Sequence, residues 1–232
     1  MPPPADQHAD QTIKKTRDWW PDHADRAWLL DTLERATMLV LFGWFVVALT
    51  SSIITTWTLE SNVVIGDLML LITEAMVIVF VLLRRKAKKL SLRFTDWFLA
   101  YSASCLPLLA RPDHSVTHFW DGGAVPLTIL GLTLILYAKL TLGRRFGLVA
   151  ANRGICDSGP YRFVRHPIYF GYLLLHIGFL MLSPTVWNAS VFVTFYALLI
   201  PRIFAEERVL GEDAQYQLYM SKVKSRLIPG FF

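Results

Sequence analysis

The chain has 232 residues, of which 54% are hydrophobic, with a mean hydropathy of +0.41 and a formal net charge of +5. So apolar a composition excludes an ordinary soluble domain and indicates a membrane protein. The basic excess sits in short loops between apolar runs, where it reads as a topology signal and a contact for anionic lipid rather than a nucleic-acid surface.

Residues 1–12, with their prolines and glutamines, are expected to be disordered. No cleavable signal peptide is expected, because the first 35 residues lack a short apolar core with a cleavage site. Residues 24–35 mix Ala27, Trp28, Leu30 and Leu33 with charges, which predicts an interfacial helix with Trp19, Trp20 and Trp28 at headgroup depth. Apolar runs of membrane-crossing length follow at roughly 36–57, 62–83, 94–110, 124–142, 168–182 and 186–204. The fifth is short. It forms a hairpin with the sixth, broken at Ser183-Pro184 because proline removes a helical donor. The expected fold is therefore all-α, a polytopic membrane protein of about six transmembrane helices.

Basic residues set the orientation. Lys14, Lys15, Arg17, Arg26 and Arg35 precede the first span, and Arg84-Arg85-Lys86-Ala87-Lys88-Lys89 follows the second. Arg144, Arg145, Arg153, Arg162 and Arg165 follow the fourth, and Lys222, Lys224 and Arg226 lie in the tail. Six spans put all of these on one side and leave Arg111 on the other, so both termini are expected in the cytoplasm. For Arg84 to Lys89, orientation is a sufficient account.

Some polar residues have plain readings. Cys105 and Cys156 do not indicate a disulfide. His114-x-x-x-His118, with Asp113 and Asp121, has metal-like spacing, but a far-side loop reads better as a solvated turn and no metal is expected. Asp67 and Glu74 share a helix face within the second span; intramembrane acids are functional candidates, and packing against Lys139 or Arg93 is an equally good account. His176 reads as a hydrogen-bonded core histidine. There is no glycine-rich phosphate loop and no dinucleotide fingerprint.

Residues 143–165 are too polar to span and too long for a tight turn. Phe146, Leu148, Val149, Ile155, Tyr161, Phe163 and Val164 provide apolar anchors, so this segment is expected to be an ordered cytoplasmic lid. Next comes Arg165-His166-Pro167, and proline favours the first helical position. The fifth helix then presents free N–H groups and a partial positive charge beside Arg165, which suits an anionic group. Tyr169 lies in its first turn, and Gly171 lets a ligand or another helix come close. At the end of the sixth span, Arg202 precedes Glu206 by one turn and Glu207 follows. The structural alternatives are a basic cap and a solvated helix end. The functional reading is a pocket in which one carboxylate faces a cationic ligand and the other holds Arg202.

Taken together, Leu142-Gly143-Arg144-x-Phe146, Gly159-Pro160-Tyr161-Arg162-x-x-Arg165-His166-Pro167-x-Tyr169-x-Gly171 and Arg202-x-x-x-Glu206-Glu207 form a pattern. Tyr216-x-x-Tyr219 and Arg226-Leu227-Ile228-Pro229 complete it. This resembles the isoprenylcysteine carboxyl methyltransferase and phospholipid methyltransferase family of integral-membrane methyltransferases, over about 140–229. The resemblance implies S-adenosylmethionine as cofactor, with its pocket on the cytoplasmic side of the C-terminal half. It assigns cofactor binding to Tyr161, His166, Tyr169, Gly171, Glu206 and Glu207; from the residues themselves, Arg202 is expected to orient or neutralise a carboxylate acceptor, and Arg202 and Glu207 are the expected catalytic pair. The implied acceptor is lipophilic and membrane-embedded, either an isoprenylcysteine-like carboxylate or a lipid amine, and the setting is a bacterial inner membrane. The expected organisation is a cytoplasmic segment at 1–35, a four-helix membrane region at 36–142 and a methyltransferase core at 143–232. The alternatives are an NADPH-dependent sterol-type reductase and a non-enzymatic lipid-binding scaffold.

Overall fold

Backbone inside hydrocarbon must satisfy its own N–H and C=O groups, so long apolar runs wind into helices. The structure, a computed structural model, describes residues 23–56, 61–111 and 121–232. The expectations for residues 1–12, Lys14, Lys15, Arg17, Trp19, Trp20, Asp113, His114 and His118 lie outside these, as do the side chains of Asp67 and Asp121. In chain order the helices are α1 (His23–Thr56), α2 (Ser61–Leu83), α3 (Phe94–Cys105), α4 (Asp121–Leu142), α5 (Pro167–Leu182), α6 (Val186–Leu210) and α7 (Ala214–Lys222). A helix therefore stands at each of the six expected apolar runs. Three stretches, Arg26–Ser51, Gly122–Arg145 and Val186–Leu210, are long and apolar enough to cross a membrane. The apolar helical stretches Leu70–Leu83 and Pro167–Leu182 are shorter, and α3 gives way to a tight 3-10 turn, Leu106–Leu109, at Pro107.

Two local features depart from expectation. Helix α1 runs unbroken through residues 35 and 36, so the segment with Trp28 continues into the first apolar run instead of forming a separate interfacial helix. The basic run after α2 is also more than a topology signal. It contains strand β1 (Lys89–Leu90), which pairs antiparallel with β2 (Ala151–Asn152) in the expected lid. Arg85 N–H donates to Arg144 O at 2.8 Å, which ties the same two loops together. Arg84 is buried and ion-paired to Asp31 and Glu34.

The starts of α1, α3 and α5 and the ends of α2, α4 and α6 meet at one end of the bundle. The Asp31–Arg84 pair brings the start of α1 to the end of α2. The β ribbon brings the start of α3 to the segment after α4. The α5–α6 hairpin turns at Ser183-Pro184, and Thr185 caps α6 by accepting from Asn188 N–H at 3.1 Å. At the far end Asn188 also binds Arg111, accepting its N–H and donating to its C=O, each at 2.9 Å.

Helix α5 lies closest to α4, and α6 packs on α3. Gly171 explains the first contact: a Cβ there would fall 2.6 Å from Ile135 Cγ1 and 3.0 Å from Gly131 O. The backbones of α5 and α6, although joined by a short turn, therefore diverge. A cavity opens between them.

Candidate active site

The cavity has a volume of about 640 Å³ and runs along one face of α5, from His166 past Tyr172 to Phe179. Its inner walls are mostly aliphatic and aromatic, with Phe192, Phe195 and Leu199 contributed by α6. Its polar end gathers Tyr161, His166, Tyr169, Arg202 and Glu206, five of the residues singled out from the sequence.

Each of these is placed by local rules. Pro167 opens α5 at its first position, with His166 as the residue before it. The tail then holds that turn: Arg165 N–H donates to Ser225 O at 3.0 Å and His166 N–H to Arg226 O at 2.8 Å. His166 and Tyr169 rings stack at 5.5 Å, and the row continues through Tyr172 to His176 at spacings of 6.2 and 6.1 Å. Gly159 starts the turn that carries Tyr161. Its φ is +55°, and a Cβ would press on Thr141 Oγ1 at 2.9 Å, so both conformation and space require glycine. Tyr161 is buried, and burial pushes its phenol well above the ordinary range. It therefore stays neutral. Its backbone carbonyl accepts from Tyr219 Oη at 2.7 Å.

The two adjacent glutamates point apart, as residues about 100° apart on a helix must. Glu206 reaches the cavity wall. It accepts from the Tyr169 hydroxyl and from Arg202 Nε at 3.2 Å, and lies 3.6 Å from His166 Nδ1. One carboxylate thus both faces the cavity and holds Arg202, where the sequence had suggested a division of labour. Glu207 lines no part of the cavity. It turns to Arg226 Nε at 2.9 Å, Arg165 Nε at 3.2 Å and His166 Nε2 at 3.3 Å. Its position is behind the pocket, clamping the start of α5 to the tail. Gly171 also faces away from the cavity, against α4, because it is the close-packing point of two helices.

Arg202 is buried yet extensively bonded. Besides Glu206 it donates from Nη2 to Leu148 O at 2.8 Å and from Nη1 to Ala100 O and Ser104 Oγ at 3.4 and 3.5 Å. Its guanidinium also lies over the Tyr169 ring, 5.5 Å from the centroid. The two long Nη1 contacts are the weak ones, because hydrogen bonding fades steeply at that range. Deeper in the cavity, Lys139 Nζ pairs with Glu74 at 2.8 Å, one of the two partners considered for that acid. His176 binds the Tyr196 hydroxyl at 3.0 Å, as a core histidine should. Among the described residues, no group of three or more His, Cys, Asp or Glu side chains is placed to hold a metal ion.

Sequence reasoning missed Asp31, Glu34 and Arg153. Glu34 is completely buried, and both backbone N–H groups at Leu148 and Val149 donate to it. The available signal was a pair of acids, Asp31 and Glu34, on the helix that leads into the first apolar run, weaker than the mid-span position that drew attention to Glu74.

Residues 124–212 match the sequence model of the isoprenylcysteine carboxyl methyltransferase (ICMT) family. The chain is also similar to the cobalt-zinc-cadmium resistance protein CzcN of Cupriavidus metallidurans, with 29% identity over 122 residues, covering 49% of this chain and 53% of CzcN. The similarity thus spans about half the length of that curated relative. The family match contains α5, α6, the lid and every pocket residue predicted from the sequence. It leaves out α1, the loop after α2 and the tail.

Proposed function

We propose, from the premise that residues 124–212 are of the isoprenylcysteine carboxyl methyltransferase family, that this membrane protein transfers a methyl group from S-adenosylmethionine to a lipophilic acceptor. One observation carries the reading: Glu206, Arg202, Tyr169 and His166 form a single bonded cluster at the polar end of an otherwise apolar cavity. The family match favours group transfer over nicotinamide-dependent reduction or passive lipid holding.

The residues present fit the cofactor. S-adenosylmethionine supplies an activated methyl group on a positively charged sulfonium. The Glu206 carboxylate provides negative charge on the cavity wall, where Tyr161 adds an aromatic lining that suits a cation. At the N-terminal turn of α5 Pro167 has no N–H and the Tyr169 and Phe170 N–H groups donate to His166 O, so it is the positive end of the helix dipole, not the row of free donors expected from the sequence, that suits a carboxylate. His166, stacked on Tyr169 and held by the tail, keeps that turn in register. Glu207 acts one layer behind, by fixing Arg165 and His166. Gly171 contributes through the seating of α5 on α4.

Arg202 stands between Glu206 and the apolar length of the cavity, so it is the group an acceptor's polar end meets. Its long Nη1 contacts can yield to an acceptor carboxylate, and a guanidinium grips a carboxylate through two parallel donors as lysine cannot. A carboxylate acceptor needs no base, whereas an amine acceptor must lose a proton first. In either case these side chains act by alignment and by excluding water. The acceptor reaches the cavity from the bilayer. Residues 36–142 form the membrane region that shapes that access, and 143–232 hold the methyltransferase core.

The test is methyl transfer in detergent or vesicles to a panel of prenylated thiol acids, lipid amines and short water-soluble analogues. Turnover is expected only with lipophilic members. Arg202→Ala and Arg202→Lys should both lower kcat/KM on a carboxylate acceptor, by about tenfold or more, the scale of a lost charged hydrogen bond. Equal turnover of a short soluble acceptor contradicts access from the bilayer. Full activity of Arg202→Ala leaves Arg202 as an ion-pair partner of Glu206 only.

A further inference from the structure

Helix α1 lies outside the matched family segment, yet it lines part of the cavity and touches the lid behind Arg202. Glu34 is fully buried in it. One of its oxygens accepts from Leu148 N–H at 2.8 Å and Val149 N–H at 3.0 Å. The Val149 N–H belongs to the same peptide unit as the Leu148 carbonyl. That carbonyl accepts from Arg202 Nη2 at 2.8 Å. In a trans peptide the N–H and C=O point in opposite directions. The Leu148–Val149 peptide is therefore held from both sides, by Glu34 on one and by Arg202 on the other.

The other Glu34 oxygen is itself fixed. It meets Arg153 Nη2 at 2.7 Å and Arg84 Nη1 at 3.1 Å, and both guanidiniums also bind Asp31 at 3.0 Å. Two buried arginines thus face two acids from α1. This arrangement is a poor device for stability. Burying charges is costly unless every polar group is satisfied, and Arg84 Nε and Arg153 Nε are buried without hydrogen-bond partners. It is well suited to orientation, because each contact has a direction.

We propose that Glu34 is a positioning residue for Arg202, acting through the Leu148–Val149 peptide, so that α1 completes an active site whose cofactor and acceptor groups lie in the C-terminal half. This rests on the reading of Arg202 and Glu206 as acceptor and cofactor groups. The wall of the cavity at Leu148 and Val149 then cannot move without disturbing Arg202. The acid pair on α1, which no motif marks, becomes part of the machinery that aligns the acceptor.

Two substitutions in the full-length protein test the proposal. Glu34→Asp keeps a negative charge beside Arg84 and Arg153 but withdraws the carboxylate by one methylene from the two N–H groups. Glu34→Gln keeps an acceptor for those N–H groups and loses the ion pairs. The first readout needs no activity: hydrogen exchange at the Leu148 and Val149 amides. Exchange is expected to quicken about tenfold or more in Glu34→Asp, with the helices of the bundle still protected. The second readout is kinetic. Glu34→Asp should lower kcat about tenfold or more on the best acceptor, while S-adenosylhomocysteine affinity by calorimetry changes less than about threefold, since the residue acts through Arg202. In an Arg202→Ala background the same substitution should add little, because coupled residues are non-additive.

Wild-type exchange at both amides in folded Glu34→Asp and Glu34→Gln overturns the proposal. So does a loss of turnover in Glu34→Asp that adds in full to that of Arg202→Ala, which marks a general structural role. If the wild-type protein neither binds S-adenosylhomocysteine nor transfers methyl groups, the functional reading fails by itself. The amide exchange then decides whether Glu34 holds the Leu148–Val149 peptide.

Discussion

Glu206 and Glu207 are neighbours in the chain with opposite surroundings. Glu206 looks into the cavity, with Tyr169 and Arg202 as partners. Glu207 looks toward the tail, with Arg165, His166 and Arg226 around it. Their substitutions should therefore part company. Glu206→Gln is expected to weaken S-adenosylmethionine binding by roughly ten- to a hundredfold, from a lost charged contact of about 1.5–3 kcal/mol. S-adenosylhomocysteine, which carries no sulfonium charge, should lose less. Glu207→Gln removes charge from a three-partner clamp and should lower the melting temperature first, with affinity following only as α5 loosens. Calorimetry with both ligands and thermal unfolding in detergent separate the two. Unchanged affinity in a folded Glu206→Gln protein would remove that carboxylate from the cofactor site. An unchanged melting temperature in Glu207→Gln would show that the tail is held by other contacts.

At the scale of elements, the site depends on how closely α5 can approach α4. Gly171 and Gly131 face each other there, and a Cβ on either would meet backbone of the opposite helix at 3.0 Å or less. Gly171→Ala is expected to push α5 outward, costing about 1–3 kcal/mol as overpacking does. Because α5 begins with His166 and carries Tyr169 in its first turn, the same shift should weaken cofactor binding. Thermal stability and S-adenosylhomocysteine affinity, measured on one preparation, test the link. Full stability with full affinity would mean that the two helices slide apart at no cost. The lid is an element of another kind. It has few internal hydrogen bonds and is held by contacts from elsewhere: β1 along one edge, Glu34 and Arg202 at Leu148, and Asp213, which accepts from Asn152 Nδ2 at 2.8 Å.

For the whole molecule, the placement of the helix ends bears on topology. The loop after α2, the lid and the turn after α6 meet at one end, joined by the β ribbon and by contacts such as Lys88–Asp213 at 3.8 Å and Lys89–Glu212. The starts of α1, α3 and α5 and the ends of α2, α4 and α6 therefore share that end. The basic residues concentrate there, and Arg111 lies at the other end beside Trp187 and Asn188. We propose from this, with the positive-inside rule, that the site and both termini face the cytoplasm. A single cysteine introduced near the C-terminus should react with an impermeant reagent only after the membrane is permeabilised. Ready labelling of intact cells would reverse the orientation and move the proposed cofactor site to the far side.

The sequence by itself determined the helical membrane class, the helix start at Pro167, the break at Ser183-Pro184 and five of the residues gathered at the polar end of the cavity. These follow from local causes: apolar length, proline geometry and residue chemistry. It also marked Arg202 and Glu206 as sharing a face, because residues four apart on a helix do so. Only the tertiary structure decided what lies against each face. Helical periodicity gives a direction for Glu207 and Gly171 but does not say that one meets the tail and the other α4. It says still less that Glu34 meets Arg153, 119 residues away. Buried ion pairs and peptide-to-carboxylate bonds join segments whose spacing along the chain bears no relation to their separation in space. The role of α1 in the site therefore becomes visible only when the chain is folded.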